Sequence, residues 1–87
     1  MNYFFYSIRD LKTGFMSPAM EMNDSAAARN FTHAVLHSDG ILYSHAQDFS
    51  LFRIAEFDSD SGVVSPVVPP VLVLEGSMAL NYGGESS

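Results

Sequence analysis

The segment from residue 48 to residue 64, DFSLFRIAEFDSDSGVV, most constrains how this chain folds. It joins an apolar run, a polar turn and the start of a second apolar run, which is the pattern of a β-hairpin. Gly62 stands where the end of the turn needs a left-handed backbone. The first run is apolar on both faces, as is typical of a strand covered on two sides. Alternation places Phe52 and Ile54 on one face. The opposite face takes Phe49, Leu51, Arg53, Ala55 and Phe57.

Residues 2–9, NYFFYSIR, form the first predicted strand. The chain then turns back at Gly14 into a shorter second strand that begins with Phe15, which makes a first hairpin. Pro18 limits this short strand to an edge of the sheet. Alternation in the first strand predicts two sets of side chains on opposite faces. One set is Phe4, Tyr6 and Ile8, and the other is Tyr3, Phe5 and Ser7.

A helix is predicted between Asn23 and Gly40. Asn-Asp-Ser at residues 23–25 can accept the free amide hydrogens of a first helical turn, and three alanines follow with high helix propensity. Gly40 fits the position just past the helix end. The elements together predict an α+β domain, a small antiparallel sheet of two hairpins with one packed helix, in the order ββαββ. The helix stripe that should face the sheet is Ala27, Phe31, Ala34, Val35 and Ser38.

The chain has 87 residues, enough for one domain and too few for two. We expect a single α+β domain at residues 1–66, an apolar extension interrupted by prolines at residues 67–76, and a flexible tail at residues 77–87. The tract Val67–Leu74 has two open interpretations. It could lie along the domain in an extended conformation, or it could add as a strand to a neighbouring copy.

Charge and composition exclude several classes of protein. Ten acidic residues against four basic ones give a net charge of −6, which argues against a broad electrostatic surface for nucleic acid. The absence of cysteine excludes disulfides and thiolate metal sites. No apolar run approaches the roughly 20 residues of a membrane helix, and no signal peptide is visible. We therefore expect a cytoplasmic protein without a membrane partner.

Residue patterns for metal binding and catalysis are weak. His33 and His37 stand four apart on the predicted helix, a spacing that can present two ligands to one ion. Both lie off the buried stripe, so a solvated helix face is the favoured interpretation; a third ligand would come from His45, Asp39 or Asp48.

The turn DSDSG at residues 58–62 begins like a calcium loop, but a glycine stands where the third acidic ligand would be. No strained serine turn and no glycine-rich phosphate loop is present. The sequence therefore predicts no enzyme activity, no cofactor and no metal site.

The aromatic residues exceed what one helix can cover on one face of a small sheet. The first interpretation is an ordinary core, and the second is a second sheet face that a partner or another copy covers. The third is base stacking near basic side chains. For nucleic-acid contact the candidates are Arg9, Lys12 and Arg53 for phosphates, with Tyr3 and Phe5 for stacking. We predict a homodimer, because a second apolar face and a sheet edge remain open.

Several motifs resemble one known family. They are Tyr6-Ser7-Ile8-Arg9-Asp10, Gly14, Asn23-Asp24, Ala28-Arg29, Phe31, and Asp48-Phe49, Leu51, Ile54, Phe57-Asp58 and Gly62 of the hairpin. In order and spacing these residues resemble the small non-structural protein of gokushovirus-type microviruses, which are tailless phages with circular single-stranded DNA. The resemblance covers roughly residues 3–66. The chain departs from the family pattern at residues 45–47, where a proline is expected nearby, and at Ala55, where glycine is frequent.

The resemblance implies a non-capsid phage protein in the host cytoplasm that serves viral single-stranded DNA synthesis or packaging. It implies no catalytic residues. The protein would work through protein–protein contacts or through limited binding of single-stranded DNA. The alternative is an assembly or scaffolding adaptor that binds capsid or host replication proteins.

Overall fold

Five strands form one antiparallel sheet, and helices pack on one of its faces. The computed structural model describes residues 1–85, with side chains through residue 81. The strands are β1 (Asn2–Asp10), β2 (Gly14–Phe15), β3 (Ala19–Glu21), β4 (Phe49–Asp58) and β5 (Val64–Glu75). The helices are α1 (Asp24–Leu36), α2 (Ile41–Ser44) and α3 (Gly76–Glu85), with a short 3-10 helix at Ala46–Asp48. The predicted α+β class and antiparallel sheet are confirmed.

β1 and β4 are the central strands of the sheet. β2 and β3 both pair with the outer edge of β1, and β5 pairs with β4 on the opposite side. Both predicted left-handed glycines are confirmed, with φ of 106° at Gly14 and 78° at Gly62. The turns that follow β1 and β4 therefore lie where the sequence pattern places them.

The β4–β5 turn is held by Asp58. Its carboxylate accepts hydrogen bonds from the Asp60 backbone N–H at 2.9 Å and from the Ser61 hydroxyl at 3.0 Å. These two donors lower the pKa of the Asp58 carboxyl below its usual value. The carboxylate that would open a calcium loop is thus engaged within the turn itself.

Helix α1 begins as predicted and ends earlier than predicted. The Asn23 side chain accepts a hydrogen bond from the Ala26 N–H at 2.8 Å, which caps the first turn. The helix ends at Leu36, and Gly40 has a φ of −114° immediately before α2. Gly40 therefore does not take the left-handed position past the end of α1, because the chain turns into a second short helix there.

The core lies between the helices and one face of the sheet. α1 contributes its apolar stripe, β1 and β4 contribute the side chains opposite it, and α3 adds a fully buried alanine. Small residues on the helices allow them to approach the sheet closely. The buried apolar cluster consists of Tyr6, Ala27, Phe31, Val35, Ala46, Phe49, Leu51 and Ala79.

The C-terminal part differs most from the sequence prediction. β5 runs without interruption through Glu75, so the expected boundary after residue 66 falls inside a strand. The expected flexible tail at residues 77–87 is replaced as far as Glu85 by α3, because Ala79 packs into the core. Residues 86 and 87 lie outside the described residues. None of the helices within residues 1–85 is long and apolar enough to cross a bilayer.

Candidate functional site

The sheet face turned away from the helices carries a group of aromatic side chains. Residues directly opposite each other in an antiparallel pair point to the same face. Tyr3 lies opposite Phe57, and Phe52 lies opposite Ser7 on the same side. We call this surface the aromatic face. Its aromatic residues are Tyr3, Phe5, Phe15, Phe52 and Phe57.

A β-bulge in β4 brings Phe57 to the aromatic face. Phe5 lies opposite Ala55, but the next residue of β1 lies opposite Arg53, which leaves Ile54 without a partner. One extra residue reverses the alternation of side chains beyond it. The sequence prediction that Ala55 and Phe57 share the face of Arg53 is therefore wrong. β4 contains no glycine or proline that would have indicated a bulge.

The aromatic rings of this face pack against one another in pairs. The centroids of Phe5 and Phe57 are 6.1 Å apart with an interplanar angle of 68°, and those of Phe15 and Phe52 are 5.7 Å apart at 75°. Such edge-to-face contacts are a preferred arrangement of aromatic pairs. Each ring stays partly exposed, because the helices of residues 1–85 pack on the other face. The rings thus form an ordered apolar platform that no described segment covers.

Charged side chains on the aromatic face occupy one row at its end. Arg9 lies opposite Ser50 in β1–β4, and Ser50 lies opposite Glu75 in β4–β5. The Arg9 guanidinium carbon is 5.9 Å from the centroid of the Phe15 ring, within the range of a cation–π contact. The other rows of paired residues across β1, β4 and β5 on the aromatic face carry uncharged side chains.

The structure brings together three of the five residues predicted to contact nucleic acid. Tyr3, Phe5 and Arg9 share the aromatic face. Lys12 lies beyond Arg9 in the exposed turn after β1, where its backbone N–H bonds to an Asp10 carboxylate oxygen at 2.9 Å. Arg53 points to the opposite face, toward the helices. Phe15, Phe52 and Phe57 also belong to the aromatic face and are not among the predicted contact residues.

Arg53 belongs to a polar cluster that fastens α1 to the sheet. One Arg53 nitrogen donates to both carboxylate oxygens of Asp24, at 2.8 and 3.0 Å. The Tyr6 hydroxyl donates to the same carboxylate at 2.6 Å. Asp24 is the first residue of α1, where the helix dipole also favours a negative charge. Tyr6 and Asp24 are 18 positions apart in the chain, and Asp24 and Arg53 are 29 positions apart. The local sequence therefore does not indicate this cluster.

Stability should fall at alkaline pH because of Tyr6. Burial, and then the hydrogen bond to Asp24, raise the pKa of the Tyr6 hydroxyl well above its usual value. Above about pH 10 the unfolded chain loses this proton and the folded protein keeps it, so the unfolding free energy should fall by up to about 1.4 kcal/mol per pH unit. Tyr6→Phe should remove this slope in urea titrations between about pH 9 and pH 11. Tyr43→Phe, which changes an exposed ring, is the control. Equal slopes for wild type and Tyr6→Phe would contradict the assignment.

The three histidines are exposed: His33 lies in the last turn of α1, His37 follows the end of α1, and His45 follows α2. The rings of His33 and His37 stack with centroids 4.1 Å apart, and His37 Nδ1 lies 3.0 Å from the carbonyl oxygen of His33. The Nδ1 atom of His45 instead lies 2.9 Å from the Ser44 hydroxyl. Within the part of the chain that the structure describes, no group of three or more potential metal ligands is clustered.

The fold and the surface define a small α+β protein with a helix-backed sheet and an aromatic face that no segment of residues 1–85 covers. A family model described as Phage ORF5 protein matches residues 3–79. This range is most of the 87-residue chain, and the chain belongs to that family of phage proteins. The match passes residue 66 and includes all of β5. No curated protein and no solved structure matches the chain.

Proposed function

We propose that this chain is a non-enzymatic accessory protein that a tailless phage uses in the host cytoplasm for the synthesis or packaging of its single-stranded DNA. The aromatic face is the observation that carries the proposal, because an exposed apolar patch of this kind marks a site of contact with a partner. Membership of the Phage ORF5 family supports a phage accessory role. The resemblance to the gokushovirus-type non-structural protein supports the link to single-stranded DNA.

Protein–protein contact is the main mode of action in this proposal. The net charge of −6 repels phosphate, and the aromatic face offers a nearly neutral apolar surface instead. Limited DNA binding is the second mode, in which Tyr3 and Phe5 stack on bases while Arg9 and Lys12 contact phosphates. Arg53 is the weakest of the predicted phosphate contacts, because Asp24 already holds its guanidinium on the helix side.

The function is tested in the phage that encodes the chain. Phe5→Asp places a charge in the aromatic face and should lower viral single-stranded DNA in infected cells by about 10-fold or more, since interface centres tolerate such changes poorly. Tyr43→Asp changes an equally large ring that is 50% exposed on α2 and should have little effect. Circular dichroism of both purified variants checks the fold. Normal single-stranded DNA with folded Phe5→Asp would refute the function.

The DNA mode has a separate test. A labelled single-stranded oligonucleotide should bind the purified protein at about 20 mM salt, where screening is weak, and dissociate as salt rises. Arg9→Ala and Lys12→Ala should each weaken this binding. Absence of binding at low salt would eliminate the DNA mode and leave protein contact as the mode of action.

Exposed apolar side chains along β5 favour the adaptor alternative. Val68 is 82% exposed and Leu72 is 48% exposed, in a strand that a capsid or host replication protein could contact. If the chain is a scaffolding adaptor, the capsid protein should co-purify with it from infected cells, and Val68→Asp should abolish this. Co-purification that is unchanged by Val68→Asp would argue against this use of β5.

A further inference from the structure

We infer that a second copy of this chain covers the aromatic face, with the two sheets packed face to face about a two-fold axis that runs along β4. The inference rests on the proposed function, in which this face makes the essential contact, and it names the partner. It is carried by the charge pattern of the face and by its area. The partner contributes the same residues, so the interface is isologous.

The charge pattern is self-complementary about an axis along β4. Arg9 and Glu75 lie in one row on either side of Ser50, each separated from it by one strand spacing of about 4.8 Å. A rotation of 180° about an axis parallel to β4 exchanges the β1 side with the β5 side of the face. Arg9 of one copy then lies over Glu75 of the other, and the reverse pair forms by symmetry. Phe52 and Phe57, which belong to β4, meet their own counterparts near the axis.

Other two-fold arrangements leave charges unpaired. An axis that lies across the strands would move Arg9 and Glu75 onto the opposite end of the partner's face, where the row is Tyr3, Phe57 and Val64. A charge buried against apolar side chains without a partner is strongly disfavoured. The axis along β4 is therefore the arrangement that the positions of the two charges select.

The area of the face is sufficient for a stable pair. Three long strands about 4.8 Å apart, each paired over roughly nine residues, span about 14 Å by 30 Å, and the five residues of β2 and β3 extend the face at the edge of β1 to about 510 Å² for each copy. Two such faces bury about 1,000 Å², which reaches the roughly 1,000 Å² expected of a biological interface. Sheets in such packings lie about 10 Å apart, a distance that the interdigitated rings would fill.

The free edge of β5 is poorly suited to pairing with a second copy. Pro66, Pro69 and Pro70 lack the backbone N–H that an added strand would need. Residues 67–70 also form an irregularity in the pairing of β5 with β4, between Val71 and Pro66. Prolines and irregular edges are known to block edge-to-edge association. Contact between two copies is therefore expected through the face.

Sedimentation of the full chain tests the pair. Wild type should sediment as a dimer of two 9.5 kDa chains at micromolar concentration. Phe52→Asp should raise the dissociation constant by about 100-fold or more, as expected for a residue at the centre of an interface, and the Tyr43→Asp control should not. A wild type that is monomeric at about 100 µM would overturn the proposal.

Charge reversal tests the axis. Arg9→Glu and Glu75→Arg should each weaken the dimer by about 10-fold, because each places like charges together at two symmetric contacts. The double variant should return to within about 3-fold of wild type, since the pairs re-form with reversed sign. A dimer whose double variant is no tighter than the single variants would overturn the proposed axis.

The pair and the proposed function fail in different ways. If wild type is monomeric while Phe5→Asp still lowers viral single-stranded DNA, the second copy is excluded and the function stands with another partner. That partner would be single-stranded DNA if the oligonucleotide binds, and a different protein if it does not. If the dimer forms and Phe5→Asp dissociates it without effect on viral DNA, the pair stands and the proposed function falls.

Discussion

Replacing Gly76 by alanine is expected to destabilise the protein by about 3 kcal/mol through overpacking. A Cβ at this position would overlap the carbonyl oxygen of Ala46 and lie 2.7 Å from the carbonyl oxygen of Phe49. Both neighbours are backbone atoms, so they cannot move aside as a flexible side chain could. Gly76 is the first residue of α3, and its close approach seats that helix beside the 3-10 helix at Ala46–Asp48. Urea unfolding of the two proteins measures the loss.

Gly40→Ala is the matched control for this substitution. A Cβ on Gly40 would meet only the Ser38 hydroxyl oxygen, at 3.7 Å, which is ordinary contact. The expected change is below about 1 kcal/mol, the scale of a weakened helix N-cap. If Gly76→Ala were as stable as Gly40→Ala, α3 would not be seated against the carbonyl oxygens of Ala46 and Phe49.

Leu51→Ala is expected to lower the unfolding free energy by about 2–5 kcal/mol. Leu51 lies in the central strand β4, is 5% exposed, and belongs to the buried cluster with Phe31 and Val35. Truncation removes its apolar contacts and leaves a cavity that rigid neighbours fill only in part. For a domain of this size such a loss is a large share of the total stability.

Leu11→Ala makes the same change where it should matter little. Leu11 lies in the turn after β1 and is 61% exposed, so the expected loss is within about 0.5 kcal/mol. Denaturant titrations of both variants give the comparison. Similar losses for Leu11→Ala and Leu51→Ala would contradict the assignment of the core to the helix side of β4.

Local chemistry explains what the sequence predicts well. The cap at Asn23 and the left-handed turns at Gly14 and Gly62 each depend on residues within a few positions. The two faces of β1 follow from simple alternation, and the structure confirms them with Tyr6 on the helix side and Tyr3 on the aromatic face. Such features need no knowledge of distant parts of the chain.

Contacts between distant residues explain what the sequence does not predict. The bulge at Ile54 exists only relative to the partner strand, so alternation within β4 cannot reveal it. The sequence predicts Arg53 as a phosphate contact, since nothing near it in the chain indicates its partner Asp24, which is 29 residues away. Helix α3 is glycine-rich in sequence, and its position in the fold depends on one buried alanine, Ala79, and on the close approach at Gly76.

The bulge makes the length of β4 as important as its composition. Four residue steps separate Arg53 from Phe57, and only the extra residue at the bulge puts their side chains on opposite faces. Deleting Ile54 would leave three steps, so regular alternation would keep Phe57 beside Phe5 without a bulge. Adding one residue while the one-residue bulge is kept would instead turn Phe57 toward the helices. This strand should therefore tolerate loss of the bulge residue better than an insertion beside it.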